Sequence, residues 1–445
     1  MIKWIEQKFE FESFETSWTT EILAGVSLFM SLSYIFIVNP SILSQTGIPA
    51  GAVFFATVVA SGLATFAMGA FSKLPFALAP GLESNSFFAF VVVASLGFNW
   101  QQALGLVFWS GFLCLFMTII PARKKIIDAI PEGLKIGIAT TVGVFVVVVG
   151  LVVADLLQFK NGLPHSVGNL GSPKTLILTT GFFVALFLGL KRFKFTGGML
   201  VSIIVCSILA RMLGINTTTP NITSSDFFSA VGKLDLFGVF KDPRAWTVLL
   251  VFFMIDFYGS IGKFIGLTRQ TNLQSNGKVK NMEKALYVDG CGTMLGATLG
   301  TSTVITYVES AVAIGQGGRT GVVAIVCGLL MLASLVFLPL VGLVPVVAAS
   351  GVLLYVGWLL LPKGEIASVF IGNSKTESSL DKFDLLIILI MAATAVITFS
   401  LDKSLLLGFG AYSLKQIFKS HSLNRYLGLS TALLFVAMAF QYFGF

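Results

Sequence analysis

Glu83 and Glu309 are carboxylates set in sequence apolar enough for a bilayer, and each is followed by serine. They close two blocks that align without a gap, Phe76-Ala-Leu-Ala-Pro-Gly-Leu-Glu83-Ser84 and Ser302-Thr-Val-Ile-Thr-Tyr-Val-Glu309-Ser310. Each block predicts a short extended run, a break, and then a helix whose first turn carries the acid. A charge at membrane depth marks a functional site by default. Two of them on matching interrupted segments, one in each half of the chain, point to the binding site of a secondary transporter. Asp256 is a third acid, mid-span in Val251-Phe-Phe-Met-Ile-Asp256-Phe-Tyr-Gly-Ser-Ile-Gly. Its nearest basic residue downstream is Lys263, two helical turns on and roughly on the same face.

Placing an acid at the bilayer centre costs roughly 2.5–3.5 kcal/mol on insertion scales. A helix N-terminus returns about 0.3–1 kcal/mol, or about 2 kcal/mol in a partly buried site. Without a cationic partner, desolvation wins by about 1–2 kcal/mol. Glu309, and Glu83 with it, are therefore expected to load and release protons during a cycle. The competing structural readings are a helix cap for Glu83 and, for Asp256, packing glue bonded to nearby hydroxyls. Asn85 offers an amide donor and acceptor together near the same helix start, and Ser310 sits beside Glu309. Tyr34, Phe87 and Tyr258 lie near the broken segments and are able to stack on a flat ligand, although each alone reads first as packing. Asp289 precedes the second block, where a loop or capping role competes with a functional one.

The elements that must carry these residues are membrane spans. The chain of 445 residues is 56% hydrophobic and 11% charged, with a mean hydropathy of +0.91. A soluble protein would carry about a quarter charged residues. Apolar stretches long enough to cross a bilayer fall near 20–38, 52–70, 76–96, 101–120, 133–153, 174–190 and 196–213. A polar connection over 215–243 follows. A second set falls near 245–267, 283–300, 302–316, 320–338, 342–361, 383–399 and 403–418. Seven and seven is the natural division, and an odd repeat places the second copy upside down in the membrane. Phe29-Met30 and Phe253-Met254, each followed at equal distance by Tyr34 and Tyr258, fit that repeat weakly. Residues 425–443 form a further apolar stretch whose crossing the sequence leaves open.

The net charge of +8 sits mostly in short loops, so it speaks to topology and not to nucleic acid. Arg123, Lys124 and Lys125, then Lys191, Arg192 and Lys194, then Arg269, Lys278, Lys280 and Lys284 lie on one side. The positive-inside rule places the N-terminus in the cytoplasm of a multi-pass protein of the cell membrane. Residues 1–14 lack a cleavable signal. Lys3, Trp4, Phe9, Phe11 and Phe14 read either as a surface-lying amphipathic start or as a partly ordered tail. Cys114, Cys206, Cys291 and Cys327 lie singly, without metal or disulfide spacing, and read as small buried hydrophobes.

Three function classes compete. A proton-coupled symporter for a neutral, flat, hydrogen-bonding solute fits three clustered acids. An anion carrier of similar architecture is disfavoured by like-charge repulsion. An enzyme is disfavoured because no nucleophile–base arrangement, phosphate loop or metal cluster stands out, and His165 and His421 lie in loops.

The chain resembles the nucleobase–cation symporter-2 class, in its azaguanine-type branch of guanine, hypoxanthine and adenine permeases. The likeness rests on Thr20-Glu-Ile-Leu-Ala-Gly, Tyr34 followed by Val38-Asn-Pro, Ala52-Val-Phe-Phe-Ala-Thr and Pro75-Phe-Ala-Leu-Ala-Pro-Gly. It continues through Ala285-Leu-Tyr-Val-Asp, Gly300-Thr-Ser-Thr-Val-Ile-Thr-Tyr-Val-Glu-Ser and Gly317-Gly-Arg-Thr-Gly. The resemblance implies an all-α polytopic membrane protein with 14 transmembrane segments in a 7+7 inverted repeat, segments 3 and 10 being broken into a short strand and a half-helix. It implies a cytoplasmic segment at 1–19, a core domain from 20–120 and 245–338, and a gate domain from 121–244 and 339–445. Purine uptake by proton symport would follow from the core moving against the gate. Glu309 would hold ring N–H groups, Asp256 would bind substrate or couple protons, and Asn85 matches the third-segment asparagine.

Partners implied are the base, protons and lipid, with no cofactor and no nucleic acid; a homodimer is carried over by analogy. Two departures stand out. The pattern Gly-Met-Gly-Leu-Asn appears as Gly81-Leu-Glu83-Ser-Asn85, and Asp-x-Phe-Asp-Thr appears as Asp256-Phe-Tyr-Gly259-Ser260. One carboxylate is gained and one lost, so either the charge has moved with the same base or the solute is a different flat heterocycle.

Overall fold

The computed structural model describes residues 2–120, 131–160, 163–189, 198–215, 224–268, 274–275, 278–279, 281–307, 309–337, 345–361, 380–398, 401–420 and short pieces of 424–435. The basic clusters at 123–125 and 191–194, Arg269, Lys280, His421, most of 425–443 and the side chain of Tyr258 lie outside the described residues.

Helix α1 (Ile2–Lys8) precedes α2 (Trp18–Leu32), whose N-cap Ser17 accepts the Thr20 amide. Phe9 and Phe11 are buried against Val322 while Trp4 stays exposed, so the start of the chain is amphipathic and packed. Helix α2 stops at Ser33, and Tyr34 occupies the break before α3 (Ile35–Leu43). Then come α4 (Ala50–Ala67), strand β1 (Leu78–Pro80), α5 (Leu82–Ser86) and α6 (Trp100–Ile119), the last entered through an Asn99–Gln102 capping box. Helix α5 runs on as a wider π-turned stretch, Phe87–Ser95.

Helix α7 (Glu132–Val153), a hairpin of β2 (Leu157–Lys160) and β3 (Leu163–Val167), α8 (Pro173–Leu188) and α9 (Gly198–Met212) complete the first half. The second half opens with α10 (Arg244–Thr268). The Arg244 guanidinium bonds the Asp242 carboxylate and holds it below the usual carboxylate range. Strands β4 (Gln274–Ser275) and β5 (Lys278–Val279) pair ahead of α11 (Met282–Leu299). Strand β6 (Val304–Thr306), α12 (Ser310–Gly315), α13 (Gly321–Ala333), α14 (Ser350–Leu360), α15 (Lys382–Thr398) and α16 (Leu401–Ser420) follow. Among the described residues, four helical stretches, Trp18–Thr46, Ala50–Ser72, Trp100–Ile119 and Glu132–Val153, are long and apolar enough to cross a membrane.

The helices pack as two groups. In one, α13 lies on α2 and α4, and α11 lies on α4 and α6, with α10 on α6. In the other, α7 lies on α14, α15 and α16, and α8 lies on α9 and α14. Helix α5 touches α7 and so joins the groups at the site. Close helix approach relies on small residues. A Cβ on Gly321 would stand 2.1 Å from the Gly69 carbonyl oxygen. Gly321→Val is therefore expected to cost at least about 3 kcal/mol by overpacking and to abolish a monodisperse peak in detergent size-exclusion chromatography; normal recovery would refute this close packing.

Two sequence expectations need correction here. Cys114, Cys206 and Cys327 are buried, but Cys291 is exposed on its helix. Asp289 lies within α11 and is fully buried, accepting from Ser260 Oγ at 2.8 Å, so it is neither a loop residue nor a cap.

Candidate binding site

The site is organised by β1 and β6, which are more than two hundred residues apart in sequence and pair antiparallel, Leu78 with Thr306, Ala79 with Ile305 and Pro80 with Val304. A two-stranded ribbon leaves backbone groups on both edges, which are costly in an apolar surround. Neighbouring hydroxyls satisfy them. Thr65 Oγ1 accepts from the Leu78 amide at 2.9 Å and donates to its carbonyl at 3.0 Å. Ser310 Oγ accepts from the Ala77 amide at 3.1 Å, and Thr293 Oγ1 donates to the Val304 carbonyl at 3.2 Å. Tyr307 OH donates to the carbonyl of Pro80, a residue with no N–H of its own. Hydroxyls from outside the two strands, on Thr65, Thr293, Tyr307 and Ser310, are thus what allow extended backbone inside the protein.

Glu83 falls in the first turn of α5, as the block predicts. Glu309 does not fall in a first turn: it is the residue before α12, with helical backbone angles and no side-chain cap bond. Its carboxylate is therefore not consumed by its own helix. Tyr34 OH donates to Glu309 Oε1 at 2.8 Å, and Tyr34 is fully buried. Among the described residues Glu309 Oε2 has no hydrogen-bond partner, and neither has Asn85 Nδ2. The Asn85 amide is oriented by Ser302 Oγ, which donates to Oδ1. Thr303 Oγ1 donates to Ser84 Oγ at 2.6 Å, and the Gly81 amide donates to the Thr303 carbonyl at 2.9 Å, locking α5 to the opposite strand.

Helix α10 packs along β6, α5 and α12. Asp256 on it is completely buried. One premise of the sequence reading is overturned here, because Glu83 does have a cationic partner. Lys263 Nζ donates to Glu83 Oε1 at 2.9 Å. Lys263, Glu83 and Tyr34 all interact with Glu309, so these groups form one cluster. Phe87 packs edge-on against Phe252 with ring centroids 5.0 Å apart, and it lines a small cleft with Val91, Thr247 and Val251. Asn39 is a further polar contributor, donating to Thr57 Oγ1 at 2.6 Å and Thr301 Oγ1 at 2.8 Å. The sequence signals for Lys263 and Asn39 were a charge and an amide in otherwise apolar spans.

Residues 19–403 match a model described as a permease family. The chain belongs to this family. It is 34% identical to the adenine permease AdeP of Escherichia coli, over 98% of this chain and 95% of that protein. It is 30% identical to the guanine/hypoxanthine permease PbuO of Bacillus subtilis, over 91% of this chain and 93% of that protein. The transmembrane domain of a cyanobacterial bicarbonate transporter, BicA, superposes with a TM-score of 0.63 at 17% identity, covering 87% of this chain and 96% of that domain. That last likeness concerns fold. The protein is an integral, multi-pass membrane permease.

Proposed function

We propose that this permease imports a purine-type nucleobase together with a proton. The observation that carries the reading is a buried acceptor and a buried donor without a hydrogen-bond partner among the described residues, Glu309 Oε2 and Asn85 Nδ2, each just beyond one strand of the β1–β6 pair. Leaving such groups unsatisfied costs about 1–3 kcal/mol each. A flat heterocycle that offers an N–H beside a ring nitrogen or carbonyl answers both. An anion answers only the donor and meets Glu309 and Asp256 as like charges. The purine substrates of AdeP and PbuO support the same class of solute.

The proton reading rests on Glu309. Its carboxylate is buried, holds one hydroxyl and keeps the other oxygen open, so it is able to alternate between solute and proton. Fourteen segments in a 7+7 inverted repeat, with the α2–α6 and α10–α13 group moving against the α7–α9 and α14–α16 group, complete the proposal. The N-terminus is then cytoplasmic.

The test is uptake of labelled guanine, hypoxanthine, adenine, xanthine and uracil in transport-deficient cells, from mildly acidic to mildly alkaline external pH. Inward coupling predicts faster uptake of one or more purines on the acid side. Asn85→Ala should raise the apparent KM about 5- to 100-fold, the loss of one buried amide contact. Bicarbonate or sulfate flux without base uptake would overturn the reading.

A further inference from the structure

Lys263 and Gly259 lie four residues apart on α10, on one face and one turn from each other. Lys263 is 12% exposed and its partner Glu83 is 5% exposed. The ammonium also stands 5.8 Å from the centroid of the Tyr307 ring, a distance at which the ring face attracts a cation. A Cβ added at Gly259 would come 4.0 Å from Glu83 Oε1. The Glu83 carboxylate thus adjoins the space open beside Gly259, and Lys263 reaches the same carboxylate from the next turn.

We propose that Glu83, Gly259 and Lys263 form one specificity-determining unit, in which the carboxylate is delivered from α5 instead of α10 and is held by Lys263 as an acceptor–donor pair facing the solute's hydrogen-bonding edge. The identity of the solute rests on the nucleobase reading above; the geometry of the unit does not. Tyr34, Tyr307 and Glu309 interact with Glu83, Asp256 lies on the same helix as Gly259 and Lys263, and Asp289 accepts from Ser260 beside Gly259. A lone carboxylate added among those acids would be repelled. Paired with Lys263 it adds no net charge, and the ammonium keeps two further N–H donors. A site built on such a pair discriminates steeply between bases that differ in one donor or acceptor.

Four variants test this: Glu83→Gly, Lys263→Met, Glu83→Gly with Gly259→Asp, and Glu83→Gln with Lys263→Met. Each is assayed by base competition in cells and by thermal unfolding of the purified protein without base. Glu83→Gly and Lys263→Met are each expected to weaken the preferred base at least about tenfold, to reorder the competing bases and to lower the melting temperature. Gly259→Asp should restore affinity and melting to Glu83→Gly, because it returns a carboxylate to Lys263. Glu83→Gln with Lys263→Met should melt higher than Lys263→Met, since no charge is left unpaired. An unchanged order of competitors across all four variants would overturn the proposal, as would no recovery in either paired variant. A wild type that carries no base would sink the nucleobase reading alone. Recovery of melting in the paired variants would then still uphold the unit, and its absence would refute it.

Discussion

Glu309→Gln is expected to reduce base uptake about 10- to 150-fold while leaving the protein at normal abundance in the membrane. A hydrogen bond to a charged acceptor contributes about 1.5–3 kcal/mol, and each 1.4 kcal/mol is about tenfold. Glutamine keeps the volume, and its amide oxygen still accepts from Tyr34 OH in place of Oε1. The amide nitrogen then takes the place of Oε2, the open acceptor. An N–H of the base would meet an N–H of the protein. The amide also cannot take up a proton, so the rise in uptake on the acid side should flatten as well as shrink. Tyr34→Phe is the graded comparison: it removes one neutral donor, about 0.5–1.5 kcal/mol, and should retain the pH response. Initial rates across external pH for the three proteins decide the matter. A Glu309→Gln variant with wild-type uptake and pH response would remove Glu309 from the site.

What the sequence made legible follows from where each signal is written. Charges in apolar sequence are local, so Glu83, Asp256 and Glu309 stand out by themselves. The run Thr301-Ser-Thr-Val-Ile-Thr306 is legible too, since β-branched and hydroxyl residues in a membrane segment ask for extended backbone with side-chain partners. Partnership is not local. No spacing rule connects Lys263 to Glu83 or Tyr34 to Glu309, because those pairs form only when α10 and the α2–α3 break close around the ribbon. The Lys263 pairing matters most, because an unpaired Glu83 is expected to carry a proton, whereas an ammonium at 2.9 Å makes it one half of an ion pair. Glu309 differs from Glu83 because Tyr34 donates to one of its oxygens, no cation is bonded to it among the described residues, and the other oxygen is left open.

The second large effect is expected at Glu21, far in sequence from either acid. Thr20-Glu21 and Gly317-Gly-Arg-Thr-Gly321 are separate runs in the chain, yet they form a single joint. The buried Glu21 carboxylate accepts the Arg319 amide at 2.9 Å, the Thr320 amide at 3.1 Å, Thr320 Oγ1 at 2.7 Å and Thr16 Oγ1 at 2.8 Å. It sits in the first turn of its own helix, α2, and at the start of α13, where a negative charge is favoured twice. Arg319, fixed there by its backbone, turns its guanidinium onto the Ile314 and Gly318 carbonyls at the end of α12. Helix α2 ends just before Tyr34, and α12 begins just after Glu309. The joint therefore holds the far ends of both arms that meet in the Tyr34–Glu309 bond. Glu21→Ala orphans several buried donors and should cost about 3 kcal/mol or more, read as a lower melting temperature in detergent. Because the two arms lose their common anchor, maximal uptake should fall even in cells grown cool enough to keep the protein folded. Glu21→Gln should lie between, as one amide oxygen still accepts while its N–H₂ opposes the remaining donors. A Glu21→Ala protein that melts and transports like wild type would show that α2 and α12 are positioned by the ribbon alone.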